Sequence, residues 1–496
     1  MNKTIEILDK ERVDLNNILK NKAEYSQYLT PISIARFMAS LFERDKLENP
    51  KILDAGAGIG TLTAALLERF STENNQSLID CTFVEIDDIL GSRIENTLKP
   101  FKDELSLKVQ VVAEDFIKWG VNRVNDQLNL FNDNNLEGYS HAILNPPYKK
   151  MRSNSIHRKL LSSIGIETVN LYSAFVALTI KTLSREGQLV AIIPRSFCNG
   201  PYYKSFRKLI LEETAIKQLH LFKSRDKAFK DDEVLQEMVI MMLERGGIQG
   251  EVKISTATDD SFSDYNEEMI PFDKVVLEGD DEKFFHIPTT DEENILPSSI
   301  QFTLANLGIN VSTGPVVGFR KKEHLRMMPE EGTVPLLYPT HIESQGIHWV
   351  KPDPKKANAI LLNEETKKLL YPNGYYTIIR RFSAKEEKKR IISGVTIPEA
   401  LDNAPSLGFD NGLNILHQNK QGLPKELAFG LHIYLSSTLV DKYFRTFNGH
   451  TQVNATDLRV MLFPSTDILI LLGEWYLKSK NVITLVDIDS KLEAVL

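Results

Sequence analysis

Short apolar runs alternate with segments of helical period between residues 49 and 244, and this alternation restricts the fold more than any other feature of the sequence. The apolar runs predict strands at residues 51–53, 81–84, 109–112, 142–144, 189–193 and 238–243. Residues 170–183 carry apolar side chains at helical spacing and predict a crossover helix. Strands separated by helices form a doubly wound α/β domain whose sheet is mostly parallel, so we expect that fold class here.

The composition is typical of a folded protein in a reducing compartment. Of the 496 residues, 42% are hydrophobic and 25% are charged. The two cysteines are too few for a disulfide framework, and we find neither a signal-peptide pattern nor an apolar stretch of membrane-spanning length. We therefore expect a cytoplasmic protein without a membrane partner. The net charge of -8 means that any nucleic acid must be bound by a local basic patch.

The regular alternation stops near Gly246-Gly247. The sequence that follows is acidic and irregular to about residue 297, and short mixed strands with scattered prolines and glycines come after it. At 496 residues the chain is also longer than one average domain. We predict two domains, with residues 1–245 as the α/β domain and residues 246–496 as an α+β domain.

A glycine-rich turn, Asp54-Ala55-Gly56-Ala57-Gly58-Ile59-Gly60, follows the first predicted strand. Glycines let the backbone turn sharply and approach a ligand closely, and the helix that follows offers free N–H groups. The spacing differs from that of the dinucleotide fingerprint, and no Gly-Lys-Ser/Thr follows to hold a triphosphate. Glu85 stands at the end of the second strand, where a carboxylate can accept both hydroxyls of a ribose. Together these residues predict a site for an adenosyl cofactor without a pyrophosphate.

Asp115 follows the third predicted strand and could accept a hydrogen bond from the adenine amino group of that cofactor. Carboxylates at strand ends also cap the helices that follow them, and this purely structural role stays open for both Glu85 and Asp115. Their order along successive strands favours the cofactor role.

The fourth predicted strand ends in Asn145-Pro146-Pro147-Tyr148. Two prolines stiffen the backbone and remove two N–H donors, so the loop presents mainly acceptors. An exocyclic amine that donates to the Asn145 side-chain oxygen and to the Pro146 carbonyl has its lone pair freed for attack on a methyl group. Tyr148 can stack against the base that carries the amine. The alternative is that the segment is only a turn.

The glycine-rich turn and the Asn-Pro-Pro-Tyr loop together resemble the S-adenosylmethionine-dependent amino-methyltransferases, and the loop is typical of those that act on adenine N6 in DNA. Residues 28–38 are similar to the N-terminal motif of the γ-ordered DNA methyltransferases. The resemblance implies a seven-stranded Rossmann-like sheet with one antiparallel strand, followed by a target recognition domain. It also implies that Thr30 and Pro31 pack near the methionine part of S-adenosylmethionine. The whole predicted cofactor set is Thr30, Pro31, Asp54, Ala55, Gly56, Gly58, Gly60, Glu85, Asp115 and Asn145.

As a whole the chain is similar to the stand-alone modification methylases of type II restriction systems, most of all to the PstI/BsuBI type. That resemblance implies double-stranded DNA as the substrate, an adenine flipped out of the duplex, and a separate cognate restriction endonuclease. In this family an aromatic residue before a late strand stacks on the flipped base; Phe229 matches it, and a core role for Phe229 is equally open. The PstI/BsuBI type implies CTGCAG as the target, although no residue argues for those bases.

Several basic clusters and one polar loop are candidates for contact with DNA. The basic clusters are residues 149–152, 320–322, 380–381 and 388–390, and the polar loop contributes Asn448, His450, Gln452 and Asn454. A solvated surface without a ligand is the alternative for each cluster. We expect the affinity for DNA to fall steeply with salt, because phosphate contacts release counterions.

The residues exclude one rival chemistry and leave others open. A C5-cytosine methyltransferase needs a nucleophilic thiolate, usually after proline, but Cys198 follows Phe197 and Cys81 lies in a predicted strand. Methylation of cytosine N4, methylation of adenine in RNA and a non-catalytic DNA-specificity subunit remain alternatives. No metal is expected to take part.

Overall fold

The computed structural model describes residues 29–43, 49–72, 77–128, 137–223, 237–288, 296–343, 346–352, 355–383, 387–479 and 481–496. The chain divides into two compact units, Met1–Thr289 and Thr290–Leu496. The predicted boundary after residue 245 is therefore placed too early, and the sheet of the first unit shows why.

One nine-stranded sheet forms the centre of the first unit. Its strands are β1 (Lys51–Ala55), β2 (Ile79–Val84), β3 (Leu107–Val112), β4 (Tyr139–Leu144), β5 (Leu183–Pro194), β6 (Thr214–Phe222), β7 (Met238–Arg245), β8 (Val252–Ala257) and β9 (Asn266–Ile270). They lie in the order β3-β2-β1-β4-β5-β7-β6-β8-β9. The strands from β3 across to β5 are parallel to their neighbours, whereas β7 is antiparallel to both β5 and β6.

This sheet confirms the predicted fold class and corrects its size. The predicted strands are β1 to β5 and β7, and β6 completes the seven strands that the family resemblance implies, with β7 as the antiparallel strand. Two more strands follow: β8 pairs parallel with β6, and β9 pairs antiparallel with β8. Because β8 is almost entirely buried, the chain remains part of this sheet well beyond residue 245.

Helices pack on both faces of the sheet. They are α1 (Ile32–Ser40), α2 (Thr61–Thr72), α3 (Asp88–Gly91), α4 (Ile94–Leu98), α5 (Phe116–Leu128), α6 (Ile156–Ser163), α7 (Leu171–Thr182), α8 (Lys204–Glu213) and α9 (Phe272–Val275). Adjacent residues of a strand point to opposite faces. Ile52 belongs to a buried cluster that includes residues of α1 and α2, and Leu53 to a second cluster that includes residues of α5, α7 and α8. The predicted crossover helix is α7. None of the described helices is long and apolar enough to cross a membrane.

The second unit combines three small sheets with helices, which confirms the predicted α+β class. Its strands are β10 (Asn310–Thr313), β11 (Leu325–Arg326), β12 (Thr333–Leu337), β13 (Ile342–Glu343), β14 (Gly346–Ile347), β15 (Ala359–Leu361), β16 (Tyr371–Pro372), β17 (Thr377–Arg380), β18 (Ser393–Val395), β19 (Ser406–Phe409) and β20 (Leu413–His417). Its helices are α10 (Glu364–Lys367), α11 (Lys425–Leu435), α12 (Thr438–Phe447), α13 (Ala455–Val460), α14 (Thr466–Lys478) and α15 (Leu485–Val495). The larger sheets have the orders β10-β20-β17-β18 and β11-β15-β12-β19-β16.

Two glycines allow α11 and α14 to pack in direct backbone contact. A Cβ atom added to Gly430 in α11 would lie 1.7 Å from the carbonyl oxygen of Leu469. A Cβ atom added to Gly473 in α14 would lie 1.8 Å from the carbonyl oxygen of Glu426. Both distances are far below van der Waals contact, so the helices cannot keep this spacing with any other residue at either position.

A buried carboxylate, Asp54, holds the start of α2 against β1. Only 1% of Asp54 is exposed, and its Oδ2 accepts a hydrogen bond from the Thr63 hydroxyl at 2.8 Å. Burial raises the pKa of Asp54 to about 7, although hydrogen bonds from Thr63 oppose that rise. The carboxyl group therefore changes its charge near neutral pH.

The glycine contact predicts that Gly473→Ala destabilises the second unit. In an isolated helix this change stabilises by about 1 kcal/mol, but the clash should lower the free energy of unfolding by about 3 kcal/mol. The measurement is urea unfolding followed by circular dichroism. The matched control is Gly318→Ala, where the nearest atom to the new Cβ is the Tyr338 hydroxyl at 3.7 Å. A Gly473→Ala protein as stable as the control would contradict the described packing.

The raised pKa of Asp54 predicts how Asp54→Asn changes the pH dependence of stability. A carboxyl group whose pKa is raised in the folded state stabilises the fold below its usual pKa of 3.8, and this stabilisation is lost as the pH rises through about 7. Asparagine stays neutral and can still accept from Thr63. The free energy of unfolding of the variant, minus that of the unchanged protein, should be roughly 1–3 kcal/mol larger at about pH 8 than at about pH 4. Urea unfolding of both proteins at both pH values measures this difference. If the difference were the same at the two pH values, the predicted effect of the raised pKa would be refuted.

Candidate active site

The carboxyl ends of β1 to β4 surround a cavity of about 480 Å³ in the first unit. The predicted site residues that line it are Gly56, Gly58, Glu85, Asp115, Asn145 and Pro147. Phe116, Ile117 and Phe175 add apolar walls. The glycine-rich turn and the Asn-Pro-Pro-Tyr loop therefore face the same space.

The turn after β1 needs glycine at three positions. Gly56, Gly58 and Gly60 have positive φ angles of 71°, 56° and 84°, which side chains disfavour. A Cβ atom on Gly58 would also lie 3.0 Å from Cδ2 of Leu29 on the cavity wall. The turn thus exposes backbone to the cavity at Gly56 and Gly58, whereas Gly60 does not line it.

Glu85 follows β2 and is tied to the glycine-rich turn. Its Oε2 accepts from the Gly58 N–H at 2.8 Å, and its Oε1 accepts from the Asp87 N–H at 2.9 Å. Burial raises the pKa of Glu85, and these two hydrogen bonds oppose the rise. The helix cap at this strand end is Asp87, whose side chain accepts from backbone N–H groups of α3. Glu85 is therefore left with its carboxylate at the cavity.

Asp115 accepts from the helix that follows it and also faces the cavity. Its Oδ1 accepts from the Lys118 N–H in the first turn of α5 at 3.0 Å, and its side chain also lines the cavity. Its Oδ2 lies 3.0 Å from Nε2 of His157 in α6. Burial raises the pKa of Asp115, but the hydrogen bonds from His157 and Lys118 outweigh burial and leave the pKa below its usual value. No sequence pattern indicates His157, because it lies far from Asp115 along the chain.

The amide of Asn145 is hydrogen-bonded at both ends. Its Nδ2 donates to the hydroxyl of Thr30 at 3.0 Å, and its Oδ1 accepts from the hydroxyl of Tyr148. Thr30 is buried directly before α1, and Pro31 is the N-cap residue of that helix. The segment predicted to pack near the cofactor thus contacts the side chain predicted to be catalytic.

The remaining predicted residues of this site do not line the cavity. They are Thr30, Pro31, Asp54, Ala55, Gly60, Pro146 and Tyr148. Ala55 is the buried last residue of β1, and Pro146 is buried too. The half-buried ring of Tyr148 packs edge-on against Tyr172, with 6.5 Å between the ring centroids. Phe229 lies outside the described residues.

The basic clusters and the polar loop divide into exposed and buried side chains. Lys149, Lys150 and Arg152 are exposed and line the cavity. In the second unit, Arg390 is only 1% exposed, and it donates to Oδ1 of Asn448 at 3.0 Å.

Three of the candidate DNA contacts, Arg390, Asn448 and Asn454, have structural roles within the second unit. Asn448, at 2% exposed, also donates to Oδ2 of Asp457 at 3.2 Å. Asn454 is the N-cap residue of α13. Because Asn448 and Arg390 are buried against each other, this structure does not present these two candidates to DNA.

Comparison with known proteins identifies relatives along the whole chain. Residues 13–229 match the model of the Eco57I restriction-modification methylase family. The chain is 55% identical to the type II methyltransferase M.BsuBI of Bacillus subtilis over 498 residues, which cover 100% of this chain and 99% of that protein. It is 40% identical to the type II methyltransferase M.PstI of Providencia stuartii, over 93% of this chain and 92% of that protein.

A solved structure supports the fold. The type IIL restriction-modification enzyme MmeI, solved in complex with DNA, aligns with 100% of this chain and 74% of its own, with a TM-score of 0.55. The sequence identity is 11%, so this likeness concerns the fold alone. The long alignments with M.BsuBI and M.PstI, however, reach across both units. The chain therefore belongs to the type II methyltransferases of restriction-modification systems.

Proposed function

We propose that this chain methylates the N6 amino group of an adenine in double-stranded DNA and that S-adenosylmethionine is the methyl donor. The observation that carries the proposal is that Asn145, Glu85 and the glycine-rich turn line one cavity. Direct transfer requires this arrangement, because donor and amine must meet in one place. In this proposal residues 1–289 form the methyltransferase domain and residues 290–496 the target recognition domain.

The cavity fits S-adenosylmethionine in size and chemistry. Its volume of about 480 Å³ lies within the usual range for small-ligand sites. Glu85 would accept hydrogen bonds from the ribose hydroxyls, Asp115 would accept from the adenine amino group, and Phe175 would contact the adenine ring. The cofactor supplies a methyl group that is already activated by its positive sulfur, so the proposed transfer uses no metal.

Asn145 and Pro146 act on the amine of the target base. An exocyclic amine is a weak nucleophile, because its lone pair is shared with the purine ring. Acceptance of its two N–H groups by Oδ1 of Asn145 and the carbonyl of Pro146 favours a pyramidal nitrogen with a free lone pair. The incoming amine replaces the hydroxyl of Tyr148 at Oδ1, which frees Tyr148 to contact the base.

The alternatives receive less support from the structure. Cys81 and Cys198 are fully buried and neither lines the cavity, which disfavours a thiolate nucleophile. A non-catalytic specificity subunit would not need Asn145 and Glu85 at one cavity. Cytosine N4 and RNA adenine methylation share the local chemistry, and asparagine at the head of the loop favours adenine.

The proposed target is CTGCAG, the sequence that resemblance to the PstI/BsuBI type implies. The identities of 55% and 40% to M.BsuBI and M.PstI support this choice. The exposed Lys149, Lys150 and Arg152 would contact DNA phosphates beside the cavity. Methylation would protect cytoplasmic DNA from a separate cognate restriction endonuclease.

Synthetic duplexes test the substrate and the base together. Labelled methyl transfer is measured on a CTGCAG duplex, on the same duplex already carrying N6-methyladenine, on a permuted sequence and on an RNA duplex. The products are digested to nucleosides and identified by mass spectrometry. We expect labelled N6-methyldeoxyadenosine from the first duplex alone. Methylation of cytosine N4, or equal transfer to RNA, would overturn the proposal.

Asn145→Ala should remove transfer while leaving cofactor binding nearly intact. Loss of the acceptor should lower the single-turnover rate by about 10³-fold, with the dissociation constant of S-adenosylhomocysteine unchanged within about threefold. Asn154→Ala is the matched control, because Asn154 is exposed in the same stretch of chain. Full activity of Asn145→Ala would remove Asn145 from the chemistry.

Thr30→Val should impair the rate rather than the affinity for the cofactor. The change removes the hydroxyl that accepts from Nδ2 of Asn145, so the amide is no longer held in one orientation. We expect a loss of about tenfold or more in the single-turnover rate, and Thr30→Ser should retain most of the activity. Weakened cofactor binding at an unchanged rate would instead place Thr30 against the cofactor, as the family resemblance implies.

A further inference from the structure

His157 connects the segment after the Asn-Pro-Pro-Tyr loop to the carboxylate of Asp115. It is the second residue of α6, and its Nε2 lies 3.0 Å from Oδ2 of Asp115. The two side chains are 28% and 19% exposed, and both line the cavity. The contact is therefore part of the cavity wall.

The hydrogen bonds of Asp115 leave it able to accept one more donor from the cavity. Its Oδ1 is used by the Lys118 N–H and its Oδ2 by His157. The backbone N–H of Ile117 also donates to this carboxylate. The two oxygens have four acceptor positions, so three donors leave one position for a ligand. Donors on opposite oxygens also fix the plane of the carboxylate, which sets the direction from which a further donor can approach.

His157 is itself held firmly by its own helix. Leu161, one turn further along α6, is fully buried in the core that also contains Ile117 and Val121 of α5. Ser155 caps the start of α6 by accepting from the Arg158 N–H. The imidazole is thus presented from a helix that packs against the helix capped by Asp115.

We propose that His157 is a positioning residue that orients Asp115 to recognise an amino group on the purine ring of the cofactor. The proposal rests on the proposed function, because it assumes that the purine lies at Asp115. Other charged groups at this cavity are Glu85, Glu114, Lys149, Lys150 and Arg152. Among the described residues, however, His157 is the one side chain that hydrogen-bonds Asp115, and its other partners are backbone N–H groups.

This role predicts a specific change in ligand selectivity when His157 is replaced. If His157 only filled space, its loss would weaken every ligand of the cavity to the same degree. If it orients Asp115, its loss weakens ligands with the purine amino group and spares those without it. We therefore compare the ratio of the two ligands' dissociation constants between the unchanged protein and the variant. An effect that weakens both ligands equally leaves this ratio unchanged, so a change in the ratio reports this one contact.

The experiment measures dissociation constants by calorimetry for S-adenosylhomocysteine and S-inosylhomocysteine, in which an oxo group replaces the amino group. We expect the unchanged protein to prefer the adenine ligand by about tenfold or more, as for a hydrogen bond to a charged acceptor. In His157→Leu the dissociation constants of the two ligands should differ by less than about threefold. His157→Gln should retain most of it, because its amide N–H can reach the same oxygen. The matched control is Lys159→Leu on an exposed position of α6.

The outcomes separate this proposal from the proposed function. An unchanged preference in His157→Leu, or equal weakening of both ligands, overturns the positioning role. If the leucine variant does not fold, His157→Ala is compared with His157→Gln in the same way, and equal preferences in those two overturn it as well. Failure of the unchanged protein to bind S-adenosylhomocysteine would instead overturn the assigned cofactor, and with it the proposed function.

Discussion

The parallel pairing of β1 between β2 and β4 is the constraint on which the site depends. In this register Ala55 is aligned with Val84, and β4 runs in the same direction on the other side of β1. The residues that follow these strands, Gly56, Glu85 and Asn145, therefore reach the same edge of the sheet. The energy that holds them there comes from apolar burial on both faces of the sheet, so the site residues are free to serve binding and chemistry.

The strands that the sequence predicts are mainly apolar, whereas β6, which the sequence misses, carries polar residues in buried positions. β6 carries Gln218 and His220, and both are buried. Each forms a hydrogen bond with Ser255 of the neighbouring β8, at 2.9 Å and 3.0 Å. A cross-strand pairing of this kind satisfies the buried polar groups only when the sheet has formed. Hydrophobic periodicity cannot show it, and for this reason the predicted boundary cut the sheet.

The same limit applies to the candidate site. The glycine-rich turn, Glu85 and Asn145 were predictable because each lies in a short motif at a strand end. The contacts of Thr30 with Asn145 and of His157 with Asp115 join parts of the chain that are far apart in sequence. In the second unit the reverse error arises, because polar residues such as Asn448 have the right chemistry for DNA but are used to satisfy buried groups instead.

If Asn145 binds the target base as proposed, its hydrogen bond with Tyr148 would stabilise the site without substrate. A poorly solvated amide oxygen without a donor costs about 1–3 kcal/mol, and the Tyr148 hydroxyl supplies that donor. In the proposed reaction an incoming amine would bring its own N–H, so the number of hydrogen bonds to Oδ1 would be conserved. The displaced hydroxyl lies 3.4 Å from the carbonyl oxygen of Ile192, which can accept it. Because Thr30 holds the other end of the amide, the proposed exchange would move the tyrosine and leave the acceptor of Asn145 in place.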